Sequence, residues 1–255
     1  FSYNKNTIKH IYYDYDENGK ELDDTSNGWY IGHPIGEIWY YETDGVWQNT
    51  PEDIKEAARY GQVPGDPKVI NHCTEDDIIN EDGTRSPVFN DKDKVYLGTT
   101  TPPIYWNMRN DFTFFKSLTF SFSMYSYLGH KSIAGYWLND DNGGSMVTNG
   151  FNVPAKEYWT PDNATNEYCR LQAKGPKNGL AGGASKLYNR NFLRIDNISL
   201  GYIIPQSFTR RFQVEKIRVS ASINNVCTIS KWKYGDPETG GLGVRTFNLG
   251  LNITI

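Results

Sequence analysis

Four oxygen-bearing side chains, Asn80, Asp82, Asp91 and Asp93, lie in the acidic stretch NHCTEDDIINEDGTRSPVFNDKDK. Hard oxygen donors at close spacing suit Ca2+, so a calcium ion is one expectation for this stretch. The spacing does not follow the EF-hand loop, and acidic loops are most often simply solvated. A second group is aromatic: Trp137, Tyr158, Trp159 and Trp232 sit among turn formers, where flat rings could stack on sugars or meet a partner protein. Equally, such rings pack loop against loop or form an interfacial girdle, which is the expectation for Trp39, Tyr40 and Tyr41. His10, His33, His72 and His130 stand apart in sequence, and no nucleophile–base pairing emerges. A carboxylate pair for glycoside hydrolysis could be drawn from many combinations, so none is singled out and no enzyme is expected.

Composition narrows the class of protein that must position these groups. The 255 residues are 38% hydrophobic, enough for a sizeable core, and a formal net charge of -4 suggests neither a nucleic-acid partner nor an acidic tail. Aromatics stand out, with 18 Tyr, 12 Phe and 7 Trp beside 24 Gly, a mixture that favours strands and turns. No apolar run is long enough for a membrane helix, but alternating strands cross a bilayer at low mean hydropathy. Three cysteines, Cys73, Cys169 and Cys227, show no metal spacing and do not form a disulfide framework. Because the chain begins at Phe1 without a Met or a signal peptide, a processed product or a fragment is expected.

The strands are organised around the ending RTFNLGLNITI. From Phe247 each odd position is apolar, and Thr246, Asn248, Gly250, Asn252 and Thr254 lie opposite. A stretch of about 9 to 11 such residues fits one crossing of a transmembrane β-barrel. Ile104 to Phe114 alternates likewise, and a tight Phe115-Lys116-Ser117 link leads into Leu118, Phe120, Phe122 and Met124. Ile198, Leu200, Tyr202 and Ile204 oppose Asn197, Ser199 and Gly201, and Ile217 to Asn224 follows the same rule. Phe1 to Asp14 and Gly36 to Gln48 read as further strands, and Pro51 to Tyr60 as a short helix capped by Thr50. Arg109, Asp111 and Arg218 fall on the polar face, which in a barrel is the lumen. There they could line a path, hold a plug or pair with one another. Arg194 and Asp196 share parity with oily Ile198 and Leu200, so they are expected above the hydrocarbon, where an Arg escapes a cost of about 2 to 4 kcal/mol.

Connections alternate in length. Those near residues 49–103, 129–190 and 228–244 are long, whereas 115–117 and 205–215 are short. Barrels of the bacterial outer membrane keep short turns in the periplasm and long loops outside. The expected fold is all-β: about seven strands of an antiparallel transmembrane barrel, too few and too odd to close alone.

Several ordered blocks carry a more specific likeness. FSYNKNTIKHI at Phe1, GHPIGEIWYYETDGVWQ from Gly32, YGQVPGDPK from Tyr60 and YLGTTTPPIYW before the FKSLTFSFSMYSYLG hairpin are four of them. NFLRIDNISLGYIIPQSF from Asn191, IRVSASINNVCTISKWKYGDPETGG and the RTFNLGLNITI ending complete the set. Together they resemble the C-terminal third of SusC/RagA-type TonB-dependent outer-membrane transporters, over nearly the whole chain. That resemblance implies a barrel of about 22 strands closed by an N-terminal plug. It further implies energy supplied by TonB, a SusD-like lipoprotein over the outer mouth, and glycan or peptide as cargo. Two departures stand out. Ile255 ends the chain where relatives usually place an aromatic residue, and of their calcium-like loop only Asn80-Glu81-Asp82-Gly83 keeps the rhythm. The rival class is a secreted all-β carbohydrate-binding module, in which two sheets would seal the oily strand faces between them.

Overall fold

The computed structural model describes residues 1–134, 157–171, 173–178 and 186–255. The first strands are β1 (Ser2–Tyr3), β2 (Glu37–Tyr41), β3 (Thr43–Val46), β4 (Pro67–Val69), β5 (Ile78–Ile79), β6 (Arg85–Ser86) and β7 (Lys94–Thr99). They are followed by β8 (Ile104–Phe114), β9 (Leu118–Leu128), β10 (Lys131–Ala134), β11 (Lys186–Asn189), β12 (Phe192–Ile203), β13 (Lys216–Ser230) and β14 (Thr246–Thr254). Two compact units result. One comprises Phe1–Lys5, Thr101–Lys131 and Asn189–Ile255, the other Asn6–Thr100 and Ser132–Tyr188.

The first unit is an antiparallel sheet in the order β1-β8-β9-β12-β13-β14. Its register converts the two-residue period into two continuous faces, because side chains alternate along every strand. Phe112 pairs with Phe120, Phe120 with Leu200, Leu200 with Ala221 and Ala221 with Leu249, a wholly apolar row across five strands. One residue along, Asp111, Ser121, Ser199, Ser222 and Asn248 form the matching polar row. The apolar face is not sealed: Leu249 is 88% exposed, Leu251 66% and Phe247 69%. Phe112 packs against Phe120 and Phe122 at centroid distances of 6.2 and 6.4 Å, a ring cluster lying on the sheet surface. In the tight β8–β9 link Phe115 and Lys116 adopt φ of 51° and 59°, left-handed turn geometry reached here without glycine.

The expected strand at Phe1 to Asp14 shrinks to β1, paired with Tyr105 and Ile104. Beyond it the chain turns away, and the Glu21 carboxylate takes up the amides of Ile11 and Tyr12 that a ladder would have used. Gly36 to Gln48 likewise adds no stave to the large sheet. It forms β2 and β3, which pair with β7 and β4 inside the second unit. The sheet therefore has six strands, one of them two residues long.

The second unit corrects the expectation of long irregular loops. The two excursions from the sheet fold on each other around small cores, one of Val46, Trp159, Cys169 and Ala173, another of Tyr41, Val69 and Phe89. Buried Asp66 ties them together, accepting from the Arg170 guanidinium at 2.8 Å and the Lys174 amide at 2.9 Å. Buried Trp47 donates to Gln62 Oε1 at 3.0 Å, and Gln62 in turn donates to the carbonyls of Pro67 and Lys174. The helix Pro51–Arg59 (α1) forms where expected, with Thr50 accepting from the Asp53 amide and Pro51 in the first turn.

Trp159 gives the clearest test of this packing. Truncating Trp159 to Ala should destabilise the second unit by about 3 to 5 kcal/mol, as for other buried tryptophans. Limited proteolysis of the intact protein reads the effect as faster cleavage within residues 6–100; unchanged resistance would remove Trp159 from the core.

Candidate functional site

The polar face of the sheet is lined by short side chains. Ser121 and Ser199 hydroxyls meet at 2.6 Å, Asn197 donates to Asn224 Oδ1 at 2.6 Å, and Thr119 donates to the Gly201 carbonyl at 3.2 Å. Two glycines keep this face low. A Cβ on Gly201 would stand 2.6 Å from Thr119 Oγ1 and 3.0 Å from Arg218 Nη2, and one on Gly250 would stand 2.6 Å from Ser220 Oγ. Arg218 therefore lies flat over Gly201, with Nη2 3.5 Å from Thr119 Oγ1.

Arg109, Asp111 and Arg218 share the polar face, as their parity requires. Arg109 and Asp111 pair with each other through two hydrogen bonds of 3.0 and 3.2 Å. Both are exposed, so water screens the pair and it adds little to stability. Its consequence is a locally neutral surface.

A buried charge cluster lies at the long-connection end of the sheet, and it overturns the parity expected for Arg194. The β9–β12 register shifts between Ile195 and Asn197, so Asp196 is an extra residue bulged out of the ladder. Beyond the bulge the faces exchange: Ile195 pairs with Met124 in the oily row, and Arg194 with Tyr125 in the polar one. Arg194 is buried there, forming an ion pair with Asp236 and another with Glu238 at 3.1 Å, and its Nε donates to Thr228 Oγ1 at 3.2 Å. Tyr125 donates its hydroxyl to Glu238 at 2.6 Å, and the Phe192 ring lies 5.3 Å from the guanidinium. Arg190 adds a second anchor, donating to the Pro237 carbonyl at 2.5 Å while its guanidinium sits 5.3 Å from the Trp232 ring. Two arginines of the wall thus fasten the β13–β14 loop. Burial pushes the Asp236 carboxyl upward, but the Arg194 hydrogen bond and the Thr239 and Glu238 amides outweigh it and hold the pKa to about 2.

Trp232 belongs to this fastened loop, where it donates to the Tyr234 carbonyl at 3.1 Å and lines a cavity of about 380 Å3 with Thr228, Asp236 and Arg245. That volume lies within the range of small-ligand pockets. Trp159 does not serve as an open stacking platform; it is core, with its Nε1 donating to Gln48 at 3.0 Å. Its burial follows from long-range packing against Val46, which local turn residues do not reveal. Tyr158 stays partly exposed, and Trp137 lies outside the described residues.

The four expected calcium ligands do not form one donor set. Asp93 is fully buried and accepts from the amides of His72, Cys73 and Asn90, while Asp91 pairs with Lys94 at 2.7 Å. Asp82 accepts from the Thr84 amide and hydroxyl, and Asn80 bonds Thr84 and Ser86. Among the described residues no three His, Cys, Asp or Glu side chains converge as metal ligands. Sequence reading also missed Tyr125, Arg190, Asp236 and Glu238. A signal was present: an arginine in the oily phase of a strand calls for either a bulge or a carboxylate partner.

These faces and connections define a section of the wall of a large antiparallel transmembrane β-barrel, left open at both edges. No family model matches the chain. Among curated proteins it is similar to TonB-dependent receptor P3 of Formosa agariphila, 24% identical over an alignment of 243 positions that covers 87% of this chain and 22% of that receptor. Among solved structures it is similar to the RagAB peptide importer in its open-open state, with a TM-score of 0.62 and 20% identity over 99% of this chain and 26% of the other. The closed-closed state of the same importer gives a TM-score of 0.57 and 21% identity over 91% of this chain and 24% of the other. The fold is thus shared with a section of the importer's barrel, and the chain spans about a quarter of the length of these relatives. Their names describe a receptor and an importer, not an enzyme.

Replacing Arg194 with Gln leaves Asp236 and Glu238 without their buried cation, a loss of about 3 to 5 kcal/mol. The β13–β14 loop should then release, read as trypsin cleavage at Lys231 and Lys233. The pH dependence follows from a folded pKa depressed below the ordinary 3.8 of Asp. The stabilisation from Asp236 is complete above about pH 4 and lost as pH falls through about 2. Hydrogen exchange across residues 231–245, corrected for intrinsic rates, should therefore stay protected at pH 4 and above.

Proposed function

We propose that this chain forms the last staves and the outer-mouth loops of a TonB-dependent importer of large nutrients, glycans or peptides, in the bacterial outer membrane. One observation carries the reading: a sheet with an exposed oily face, a serine- and asparagine-lined opposite face, and two unpaired edges. In hydrocarbon every backbone donor and acceptor must be paired within protein, so the edges at β1 and β14 require neighbouring strands. An N-terminal remainder of the transporter supplies those strands and the plug. Lipid covers Phe112, Phe120, Leu200, Leu249 and Leu251, while water and the plug meet Ser121, Ser199, Ser222 and Arg218. A SusD-like lipoprotein lids the mouth, cargo is captured beneath it, and TonB drives plug rearrangement.

Support comes from the likeness to RagAB, a peptide importer by name, and to a TonB-dependent receptor. The rival, a secreted carbohydrate-binding sandwich, needs a second sheet over the oily rows, whose residues in β14 are instead exposed. Arg109, Asp111 and Arg218 act on this reading as lumen surface, and Tyr158 and Trp232 as contacts for cargo or lid.

Leu251→Arg in the intact transporter puts a charge in the hydrocarbon at a cost of about 2 to 4 kcal/mol and should abolish the heat-modifiable band of the assembled barrel. Asn252→Ser, one residue along and facing the lumen, should leave that band unchanged. Equal tolerance of both substitutions would count against a membrane-facing Leu251.

A further inference from the structure

The two short connections lie side by side, because the Ile203 amide donates to the Ser117 carbonyl at 2.8 Å. Both carry the same chemistry. The β8–β9 turn presents Phe115, 93% exposed, beside Lys116. The β12–β13 turn holds a helical turn at Gln206–Thr209 followed by Arg210–Phe212, and presents Phe208 and Phe212 with ring centroids 5.8 Å apart. Between these rings stand Arg210 and Arg211, both exposed. Among the described residues the Arg210 guanidinium donates only to the neutral Gln206 amide oxygen at 3.3 Å, and the Arg211 side chain has no hydrogen bond or ion pair. The turn is folded, not loose: Thr209 is fully buried, and its carbonyl accepts from the Val214 amide. Lys116, Arg210, Arg211 and Lys216 share this rim with Glu215.

Solvation alone gives no reason to expose three phenylalanines among unpaired arginines at the ends of oily strands. Aromatic rings and cationic side chains at that level match the boundary between hydrocarbon and headgroups, where rings sit among the glycerol groups and arginines pair with phosphate in a bidentate fork. We infer that the Phe115–Lys116 and Phe208–Phe212 turns form a binding site for anionic phospholipid headgroups of the leaflet on the short-turn side. The inference rests on the barrel reading above, which sets which surface meets lipid. Charge complementarity and continuity with the apolar strand face select lipid over a soluble partner. Phe208 and Phe212 anchor the turn, and Arg210 and Arg211 provide selectivity for negative charge.

The test uses the intact transporter inserted in vesicles of phosphatidylethanolamine, alone or mixed with phosphatidylglycerol. Retention of phosphatidylglycerol is then measured by native mass spectrometry after gentle detergent release. Wild type should retain phosphatidylglycerol in preference to phosphatidylethanolamine. R210Q/R211Q should lose that preference by roughly 30-fold, the product of two near-surface cations. F208A/F212A should weaken retention of both lipids alike. Insertion of R210Q/R211Q with an undiminished phosphatidylglycerol preference would overturn this site alone and leave the barrel reading standing. Failure of wild type to insert at all would overturn the barrel reading and this site with it.

Discussion

Cross-strand register is the constraint on which the rest of this structure depends. With a side-chain period of two, a slip of one residue would exchange every oily and polar position of a strand. Five strands hold the phase together, so that Leu249 continues a row begun at Phe112 and Asn248 one begun at Asp111. The two faces have different solvents, and each penalises the wrong side chain. Registry is therefore fixed by the environment as well as by hydrogen bonds, and both the bilayer-facing surface and the lumen surface follow from it.

The exception at Asp196 shows how that constraint is managed where the wall meets the loops. A strand that stayed in phase would aim Arg194 at the oily side. One extra residue turns it inward, and once inside it is worth burying only because Asp236, Glu238 and Thr228 satisfy it. The bulge and the fastening of the β13–β14 loop are therefore one device. Its parts come from β9, β12, β13 and the loop, and none of them would be stable in place without the others.

Much of the wall was legible from local pattern. RTFNLGLNITI, the Ile104–Leu128 hairpin and the α1 cap at Thr50 each carry their signal within a dozen residues, because period and capping are local physics. The loops were not legible. Asp66 and Arg170 lie 104 residues apart in sequence, and neither residue announces the other. The turn formers around Trp159 leave outward stacking and loop packing equally open, and burial is decided by Val46 and Cys169, which arrive from elsewhere in the fold. Gly36 to Gln48 has strand propensity without clean alternation, and that missing alternation was the clue that it belongs to a loop unit and not to the wall. The acidic stretch misled in another way: Asp93 looks like a metal ligand in sequence, while in the fold its carboxylate is consumed by three backbone amides.

The central claim is that the apolar rows face acyl chains and the polar rows face water. Nitroxide labels placed singly at Leu249 and Asn248 of the intact protein in vesicles test it directly by collisional accessibility. Oxygen, which concentrates in hydrocarbon, should relax the label at Leu249 more strongly, while a water-soluble nickel chelate should relax the one at Asn248. Equal accessibility of both labels to the chelate, or the opposite ranking, would contradict the assignment of the two faces.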